Sequence, residues 1–233
     1  MIKSYLFYLF LILWTILFGL LLLPFLFLSK SNLYKPAYLW IDGIFFLLKT
    51  ICGLTYEIKG KIEITNKKIK IIASKHQSAF ETLLLFKFFP KAIFIHKFEL
   101  FYIPIFGLYL KKIGMVSINR KLKSKALIKM MKESKEKILQ GCSLIIFPEG
   151  TRKVIGSKPD YKPGIAALYK EINCDVLPVA LNSGLFWSKN SYKIKPGKII
   201  VEFLPIIKKG LDKKKFIIEL EDSIEKGCLK LNY

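Results

Sequence analysis

The sequence predicts an α/β fold, with a mostly parallel central sheet flanked by helices and an N-terminal membrane-anchoring helix or helical hairpin in front of it. Three observations carry this prediction. Residues 4–28 contain no charged side chain. After residue 55, short apolar runs alternate with amphipathic segments of helical length. Polar residues follow directly after several of the apolar runs, where the loops of a parallel sheet carry binding sites.

The apolar run at residues 4–28 is long enough to cross a hydrocarbon core of ~30 Å at ~1.5 Å per residue. It lacks the small-residue cleavage site of a secretory signal peptide, so we interpret it as a retained anchor. A second apolar stretch, 37–54, contains Asp42 and Lys49, which favours an interfacial helix or the return arm of a shallow hairpin. The sequence leaves open whether 4–28 spans the bilayer or lies in one leaflet. We divide the chain into an anchor at 1–54 and an α/β domain at 55–233.

The composition combines a net charge of +22 with 52% hydrophobic residues over 233 positions. Disordered chains pair high charge with low hydrophobicity, so this combination excludes them and leaves a protein that binds membranes or nucleic acid. Two of the 39 cationic side chains are arginines, Arg120 and Arg152, and the rest are lysines. A bias toward AT-rich codons explains much of the lysine excess, and the two arginines stand out against it.

The pattern of apolar and polar residues predicts the helices and strands of the domain. We predict strands at 56–64, 69–73, 93–95, 115–118, 143–147 and 176–181, and a hairpin at 192–203 that turns at Lys195-Pro-Gly-Lys198. We predict helices at 79–89, 122–139, 164–171 and 212–227.

The first polar loop follows the strand at 69–73 and contains His76, with Glu81 five residues later. Histidine is the usual general base near neutral pH, and a carboxylate can orient its ring. The pair works only if His76 lies in the loop and Glu81 in the first turn of the helix, because five residues along a helix turn the two side chains about 140° apart. Ser78 and Glu81 also have the form of a capping box, so Glu81 as a plain helix cap stays open. We interpret His96, at the end of a strand, as structural.

Two further loops follow strands. Residues 111–120 deliver Arg120, whose planar guanidinium suits a phosphate, although a surface arginine at a helix start is an equal alternative. The loop Phe147-Pro-Glu-Gly-Thr-Arg152 presents Glu149 and Arg152, and an ordinary turn with a local ion pair is its alternative reading. Two histidines and four dispersed cysteines supply no zinc-ligand cluster, so we predict no metal site. Phosphate-binding glycine motifs and a nucleophile elbow are also missing.

Four segments in order resemble the motif blocks of the glycerolipid acyltransferase family. They are His76-x4-Glu81, Gly114-x5-Arg120, Phe147-Pro-Glu-Gly-Thr-Arg152 and Val176-Leu-Pro-Val-Ala-Leu-Asn182. The resemblance covers roughly residues 55–210. The first block departs from the family pattern at two positions: Lys75 stands where Asn is usual, and Glu81 replaces Asp, as in a bacterial branch of the family. In the second block Ser117-Ile118-Asn119 stands where Phe-Ile-Asp is common.

The resemblance implies an enzyme that transfers a fatty acyl chain from acyl-CoA or acyl carrier protein to the sn-2 hydroxyl of lysophosphatidic acid. His76 is then the general base and Glu81 its partner, and the substrate-binding residues are Lys97, Arg120, Glu149, Gly150, Thr151 and Arg152. No cofactor is expected besides the acyl donor. We expect a place at the bacterial inner (cytoplasmic) membrane. Lys30 and Lys35 after the apolar run favour an active site that faces the cytoplasm, and the lysine excess favours anionic lipids as partners.

Two alternatives remain at this point. An acyltransferase of the same family can act on another lysolipid, such as lyso-ornithine lipid. A membrane-tethered basic binding module is the alternative from another class, but it leaves the motif loops unexplained, and lysines and aromatics are not interleaved on one face. We therefore expect no nucleic acid among the partners.

Overall fold

The computed structural model describes residues 1–60, 69–119, 121 and 123–231. Within these ranges the chain folds into seven α-helices and seven strands. The helices are α1 (Ile2–Leu21), α2 (Tyr34–Leu47), α3 (Phe80–Phe88), α4 (Phe106–Ile113), α5 (Lys123–Leu139), α6 (Pro163–Ile172) and α7 (Lys213–Leu231). The strands are β1 (Leu54–Lys59), β2 (Ile69–Ser74), β3 (Ala92–Lys97), β4 (Val116–Ile118), β5 (Ser143–Ile146), β6 (Asp175–Leu181) and β7 (Gly197–Phe203).

The seven strands form one sheet in the order β1-β7-β6-β2-β5-β3-β4. Five of its pairs are parallel and one pair, β6 with β7, is antiparallel. The predicted fold class is therefore confirmed. The central strands β2, β5 and β6 are buried along almost their whole length, which is why they read in the sequence as short Ile, Leu and Val runs without alternation.

Helices cover the sheet and close a single core. The α7 helix turns Phe216, Leu220 and Ile224 inward, at the spacing of one helical face. The ring of Phe216 stacks on that of Tyr169 in α6, with centroids 3.8 Å apart. These contacts fasten the C-terminal helix to the layer that lies over β6.

The two N-terminal helices pack on each other as the hairpin reading expects. The indole of Trp14 in α1 donates a hydrogen bond to the Trp40 carbonyl in α2, and the Trp40 indole donates to Thr15. Gly43 makes the close approach possible, because a Cβ there would lie 2.4 Å from the Trp14 ring. The segment Leu48–Cys52 continues α2 as one π-helical turn and leads into β1.

One helix among the described residues, Ile2–Leu21, is long and apolar enough to cross a membrane. Its first turns are nevertheless docked on the domain: Phe7 is fully buried, and the Ser4 hydroxyl accepts a hydrogen bond from the Ile194 amide. Side chains of 1–54 and of the later residues belong to one buried cluster. The division into an anchor and a domain at residue 54 stays a prediction.

One predicted element is wrong. The segment 192–203 is not a hairpin, since only Gly197–Phe203 forms a strand, and this strand pairs with β1 and β6. Pro196 has no amide to donate, and the amides of Ile194 and Lys195 are used by Ser4 and by the Phe186 carbonyl. The first predicted strand, 56–64, is confirmed up to Lys59, and residues 61–68 lie outside the described ranges.

Candidate active site

The candidate site lies where the carboxyl ends of neighbouring parallel strands meet. Strands β2, β5 and β3 are adjacent in the sheet, and β6 flanks β2 on the other side. The loops with His76 and Glu149 follow β2 and β5, and Lys97 is the last residue of β3. The fold thus brings three segments of the sequence to the same edge of the sheet.

His76 and Glu81 are in direct contact. The distance from His76 Nδ1 to Glu81 Oε1 is 2.9 Å. His76 lies in the loop after β2, and Glu81 lies in the first turn of α3, which is the placement that the predicted pair requires. The Glu81 side chain is 0% exposed, whereas the His76 side chain retains 16% exposure. The imidazole therefore reaches the surface of the site while its carboxylate partner stays beneath it.

Glu81 is also the helix cap that the alternative reading proposed. Its Oε1 accepts the backbone amides of Gln77 at 2.6 Å and Ser78 at 2.7 Å. Its other oxygen, Oε2, accepts the Ser183 hydroxyl at 2.8 Å. The two readings describe one arrangement, in which the capping bonds hold the carboxylate in place for the histidine.

The hydrogen bond to Glu81 determines which ring nitrogen of His76 carries the proton. An ionised carboxylate only accepts hydrogen bonds, so His76 Nδ1 is the donor in its bond to Glu81. In the neutral ring the opposite nitrogen, Nε2, then has a lone pair and can accept a proton. This is the arrangement of a general base held by a carboxylate.

The ring of His76 is fixed from its flat side as well. It stacks on Phe147, with centroids 3.8 Å apart and planes inclined by 12°. Phe147 in turn stacks on Phe94 of β3. The backbone amide of Lys153 donates to the His76 carbonyl at 2.8 Å, so the loop after β5 holds both the ring and the main chain of His76.

The loop after β5 turns sharply to expose Arg152. Gly150 has a positive φ of 64°, a conformation that favours glycine, and its amide bonds the Phe147 carbonyl at 2.8 Å. Thr151 is half-buried and Arg152 is exposed. The Arg152 carbonyl accepts a hydrogen bond from Lys189. The loop after β5 thus presents a cationic side chain next to the loop after β2, which contains His76.

Glu149 faces inward. Its side chain is 1% exposed and forms an ion pair with Lys75, with Nζ to Oε1 at 2.9 Å. Glu149 Oε2 is buried and has no hydrogen-bond partner among the described residues. Burial raises the pKa of the Glu149 carboxyl above its ordinary value, and the bond from Lys75 only partly offsets this.

Of the two remaining predicted ligands, Lys97 is the one within the described residues. Lys97 ends β3, next to β5, and is exposed. Arg120 lies outside the described residues, so its predicted role stays a prediction. His96 packs edge-on against Phe101 and donates from Nδ1 to the Lys97 carbonyl, which fits the structural reading.

An apolar cavity of about 510 Å³ opens between α1, α2, α3 and α4. Its wall includes Thr82 and Leu83, which directly follow Glu81, and Phe94, whose ring stacks on Phe147. Two stacked rings, Phe94 and Phe147, therefore lead from the cavity wall to His76. The volume falls within the ~300–1,000 Å³ of ordinary ligand pockets.

Sequence reasoning missed four residues that build the site. Ser183 and Gln77 hold the loop after β2, since Gln77 Oε1 accepts the Gly184 amide at 2.9 Å. Lys75 appeared only as a departure from the family pattern, and its partner Glu225 comes from α7. The signal for Lys75 was a lone cation in an otherwise apolar and small-polar stretch, whereas nothing distinguishes Glu225 from the other acids of α7. Among the described residues, no group of three or more His, Cys, Asp or Glu side chains is placed to hold a metal ion.

The acyltransferase family profile matches residues 55–182. This segment contains His76, Glu81, Glu149 and Arg152 in the geometry described above. The chain belongs to the acyltransferase family. The matched segment ends one residue after β6, so α7 lies outside it.

Individual relatives are named for one activity. The chain is 33% identical to a 1-acyl-sn-glycerol-3-phosphate acyltransferase of Pseudomonas aeruginosa, over 80% of this chain and 72% of that protein. It is 30% identical to a protein of the same name from Helicobacter pylori, over 77% of this chain and 78% of that one. Against a relative from Cocos nucifera the chain spans about half of the other protein, 53% of its length.

The fold of this family member has a solved counterpart. The crystal structure of the 1-acyl-sn-glycerophosphate (LPA) acyltransferase PlsC from Thermotoga maritima superposes with a TM-score of 0.79. The match covers 99% of this chain and 96% of that chain at 20% sequence identity. It includes the two N-terminal helices as well as the sheet.

Proposed function

We propose that this acyltransferase transfers a fatty acyl chain from acyl-CoA or acyl carrier protein to the sn-2 hydroxyl of lysophosphatidic acid. The observation that carries the proposal is the bond between His76 Nδ1 and Glu81 Oε1, at an edge of the sheet that also presents Lys97 and Arg152. The names of the relatives support the choice of acceptor.

In the proposed reaction His76 Nε2 removes the proton from the acceptor hydroxyl. The alkoxide attacks the thioester carbonyl, and the tetrahedral intermediate collapses with loss of the thiolate. Glu81 stabilises the imidazolium that forms in this step, and it needs no movement to do so because four donors already hold its carboxylate. A thiol with a pKa of ~8.5 leaves readily, so we propose no cofactor besides the acyl donor.

The acceptor phosphate is proposed to bind cationic side chains at the same edge. Lys97 and Arg152 are the exposed candidates among the described residues, and Arg120 joins them by family resemblance. Gly150 and Thr151 form the turn that carries Arg152. Glu149 contributes through the shape of that turn, since its carboxylate is paired with Lys75 inside the protein.

The apolar cavity is proposed to take an acyl chain. It is lined by side chains of α1 and α2, such as Leu11 and Trp40, and by Phe94. The Phe94 ring stacks on Phe147, which in turn stacks on the ring of the proposed base. A chain that enters there brings its carboxyl end toward His76. The cavity is almost wholly apolar in its lining, which suits methylene groups and excludes the charged parts of either substrate.

The N-terminal helices are proposed to hold the site at the bacterial inner membrane, facing the cytoplasm. Side chains along α1, such as Leu13, Leu17 and Leu21, are about half exposed or more, which is a large apolar surface for a water-soluble protein. Ser4 and Phe7 are buried on the domain, so we propose that α1 enters one leaflet rather than crossing both. The lysine excess attracts anionic headgroups.

A thioester-release assay in washed membranes tests the proposal. The wild-type protein should release thiol from acyl-CoA or acyl carrier protein only when lysophosphatidic acid is added. His76→Ala should abolish release, whereas His96→Phe, a control at the other histidine that keeps an aromatic ring, should retain it. Retained activity in folded His76→Ala protein would remove His76 as the base.

The acceptor is tested by substrates with and without a phosphate monoester. Lysophosphatidic acid and a lyso-ornithine lipid should differ strongly in kcat/KM, in favour of the phosphate. Arg120→Lys should raise the KM for lysophosphatidic acid, because lysine cannot bind phosphate with two parallel bonds. Equal turnover of both acceptors would favour the alternative, a family member that acts on another lysolipid.

A further inference from the structure

Lys75 is a buried lysine at the residue that precedes the base. Its side chain is 4% exposed, and its Nζ lies 2.9 Å from Glu149 Oε1 and 2.7 Å from Glu225 Oε1. The hydroxyl of Tyr161 donates to the same Glu225 oxygen at 3.0 Å. One cation and two carboxylates therefore form a closed cluster beneath the site, which we call the Lys75 cluster.

The cluster joins three segments that are distant in sequence. Lys75 belongs to the loop of His76, Glu149 belongs to the loop of Arg152, and Glu225 lies in α7. Helix α7 is tied to the site a second time, because the Asn182 side-chain amide after β6 donates to the Leu231 carbonyl at 3.0 Å. The family profile ends at residue 182, so it does not include this helix.

The charges in the cluster depend on one another. Burial by itself lowers the pKa of Lys75, but the hydrogen bonds that Lys75 donates to Glu225 and Glu149 outweigh this effect, and the pKa is raised. Lys75 therefore stays charged, held between two acceptors. Removing Lys75 leaves the buried Glu149 carboxylate without its ion-pair partner, and breaking a buried pair in this way is strongly destabilising.

We propose that Lys75 and Glu225 are positioning residues of the acyl-transfer reaction. Helix α7 then helps to hold His76 in place, because Glu225 of this helix bonds Lys75. The inference rests on the proposed function, because it needs acyl transfer as its readout. The peptide that carries the Lys75 side chain continues directly into His76. Displacement of Lys75 thus displaces the imidazole against both Glu81 and Phe147.

The size of the effect follows from the geometry of general-base catalysis. A misplacement of about 1 Å costs on the order of 100-fold in rate. Glu225→Gln keeps the shape of the side chain and removes its charge, so it loosens the cluster without opening a cavity. We expect kcat to fall about 10- to 100-fold. The acceptor KM should change less, because Glu225 bonds Lys75 and Tyr161 rather than the exposed Lys97 and Arg152 proposed to bind the phosphate.

Asp222→Asn is the matched control. It removes one carboxylate from the same helix, but this carboxylate is exposed and pairs with Lys226 four residues on. Such a pair contributes little, so kcat and thermal stability should both stay at the wild-type values. An unchanged kcat for Glu225→Gln, or an equal loss for Asp222→Asn, would overturn the proposal.

A double-mutant cycle separates positioning from general weakening of the fold. Lys75→Met should also lower kcat, and the double variant Lys75→Met/Glu225→Gln should lose less than the product of the two single losses. All assays are run well below the lowest melting temperature of the set. Multiplicative losses would show that the residues act independently and would contradict the cluster.

If Lys75→Met does not fold, Tyr161→Phe takes its place in the cycle, since it removes only the second of the two bonds to Glu225. Failure of the proposed function gives a different result. Wild-type protein that does not use lysophosphatidic acid contradicts that function, while the ratio of variant to wild-type kcat is measured with whichever acceptor is acylated.

Discussion

The hydroxyl of Ser183 donates a hydrogen bond to Glu81 Oε2 at 2.8 Å, although 102 residues separate the two. Ser183 follows β6 and is fully buried, and Glu81 begins α3 after β2. The neighbouring strands β6 and β2 bring these segments together. The carboxylate that bonds His76, the proposed base, is thus held by the residue directly after the fourth motif block as well as by its own loop.

Ser183→Ala should lower kcat by about 10-fold or more and leave the acceptor KM unchanged. A hydrogen bond to a charged group contributes roughly 1.5–3 kcal/mol, and its loss leaves Glu81 Oε2 buried without that donor. Steady-state kinetics with lysophosphatidic acid measure the effect. Ser157→Ala, in an exposed turn, is the control and should match wild type. An equal kcat in both variants would mean that the backbone donors alone hold Glu81.

Phe147→Leu should lower kcat by about 2- to 10-fold, because the stack on the His76 ring is lost. Such aromatic contacts are worth about 0.5–1.5 kcal/mol beyond the area they bury. Phe88→Leu makes the same change at the C-terminal end of α3, where the ring packs on Phe203, and should leave kcat unaltered. A smaller effect at Phe147 than at Phe88 would argue against ring stacking as a constraint on the base.

His96→Phe should flatten the loss of stability between pH 7 and pH 5. Burial lowers the pKa of His96 below its ordinary value of about 6.5, against the weaker effect of its bond to the Lys97 carbonyl. Below pH 6.5 the unfolded chain therefore binds a proton that the folded chain does not, and stability falls as the pH falls. Melting temperatures of the two proteins in detergent across this range make the comparison. Parallel curves would show that His96 does not contribute to the pH dependence.

Gly43→Ala should destabilise the contact between α1 and α2. The added Cβ would lie 2.4 Å from the Trp14 ring, which is closer than real Cβ contacts, so one helix must shift. Measured as a drop in melting temperature, the cost should largely vanish in a Trp14→Ala background, where the ring is absent. The same cost in both backgrounds would place the strain elsewhere, for instance in the helix backbone of α2.

The sequence predicted the strands of the parallel sheet well because buried strands require apolar runs whatever surrounds them. The runs at 69–73, 143–147 and 176–181 became β2, β5 and β6 within one or two residues. The false hairpin at 192–203 shows the limit of this reasoning. A proline and a glycine between apolar stretches indicate a turn, but whether two strands pair there depends on donors such as Ile194, whose amide Ser4 takes from 190 residues away.

The pairing of His76 with Glu81 was within reach of the sequence because it is local. It needed only a strand end, a loop and a helix start, all of which leave marks in the order of residues. The choice between cap and catalytic partner was not decidable there. In the structure the two roles do not compete, because the Glu81 carboxylate bonds both the His76 ring and the backbone amides of Gln77 and Ser78.

By itself, the sequence determined the fold class and the apolar N-terminal segment, because both depend on the pattern of residues along the chain. Its motif blocks also led to the family by resemblance, whereas the roles of the site residues stay predictions. Only the tertiary structure decided what supports those residues. The contacts of Ser183 with Glu81 and of Lys75 with Glu225 join residues 102 and 150 positions apart. The sheet order and the docking of α7 create them, and neither is encoded in any short stretch of sequence.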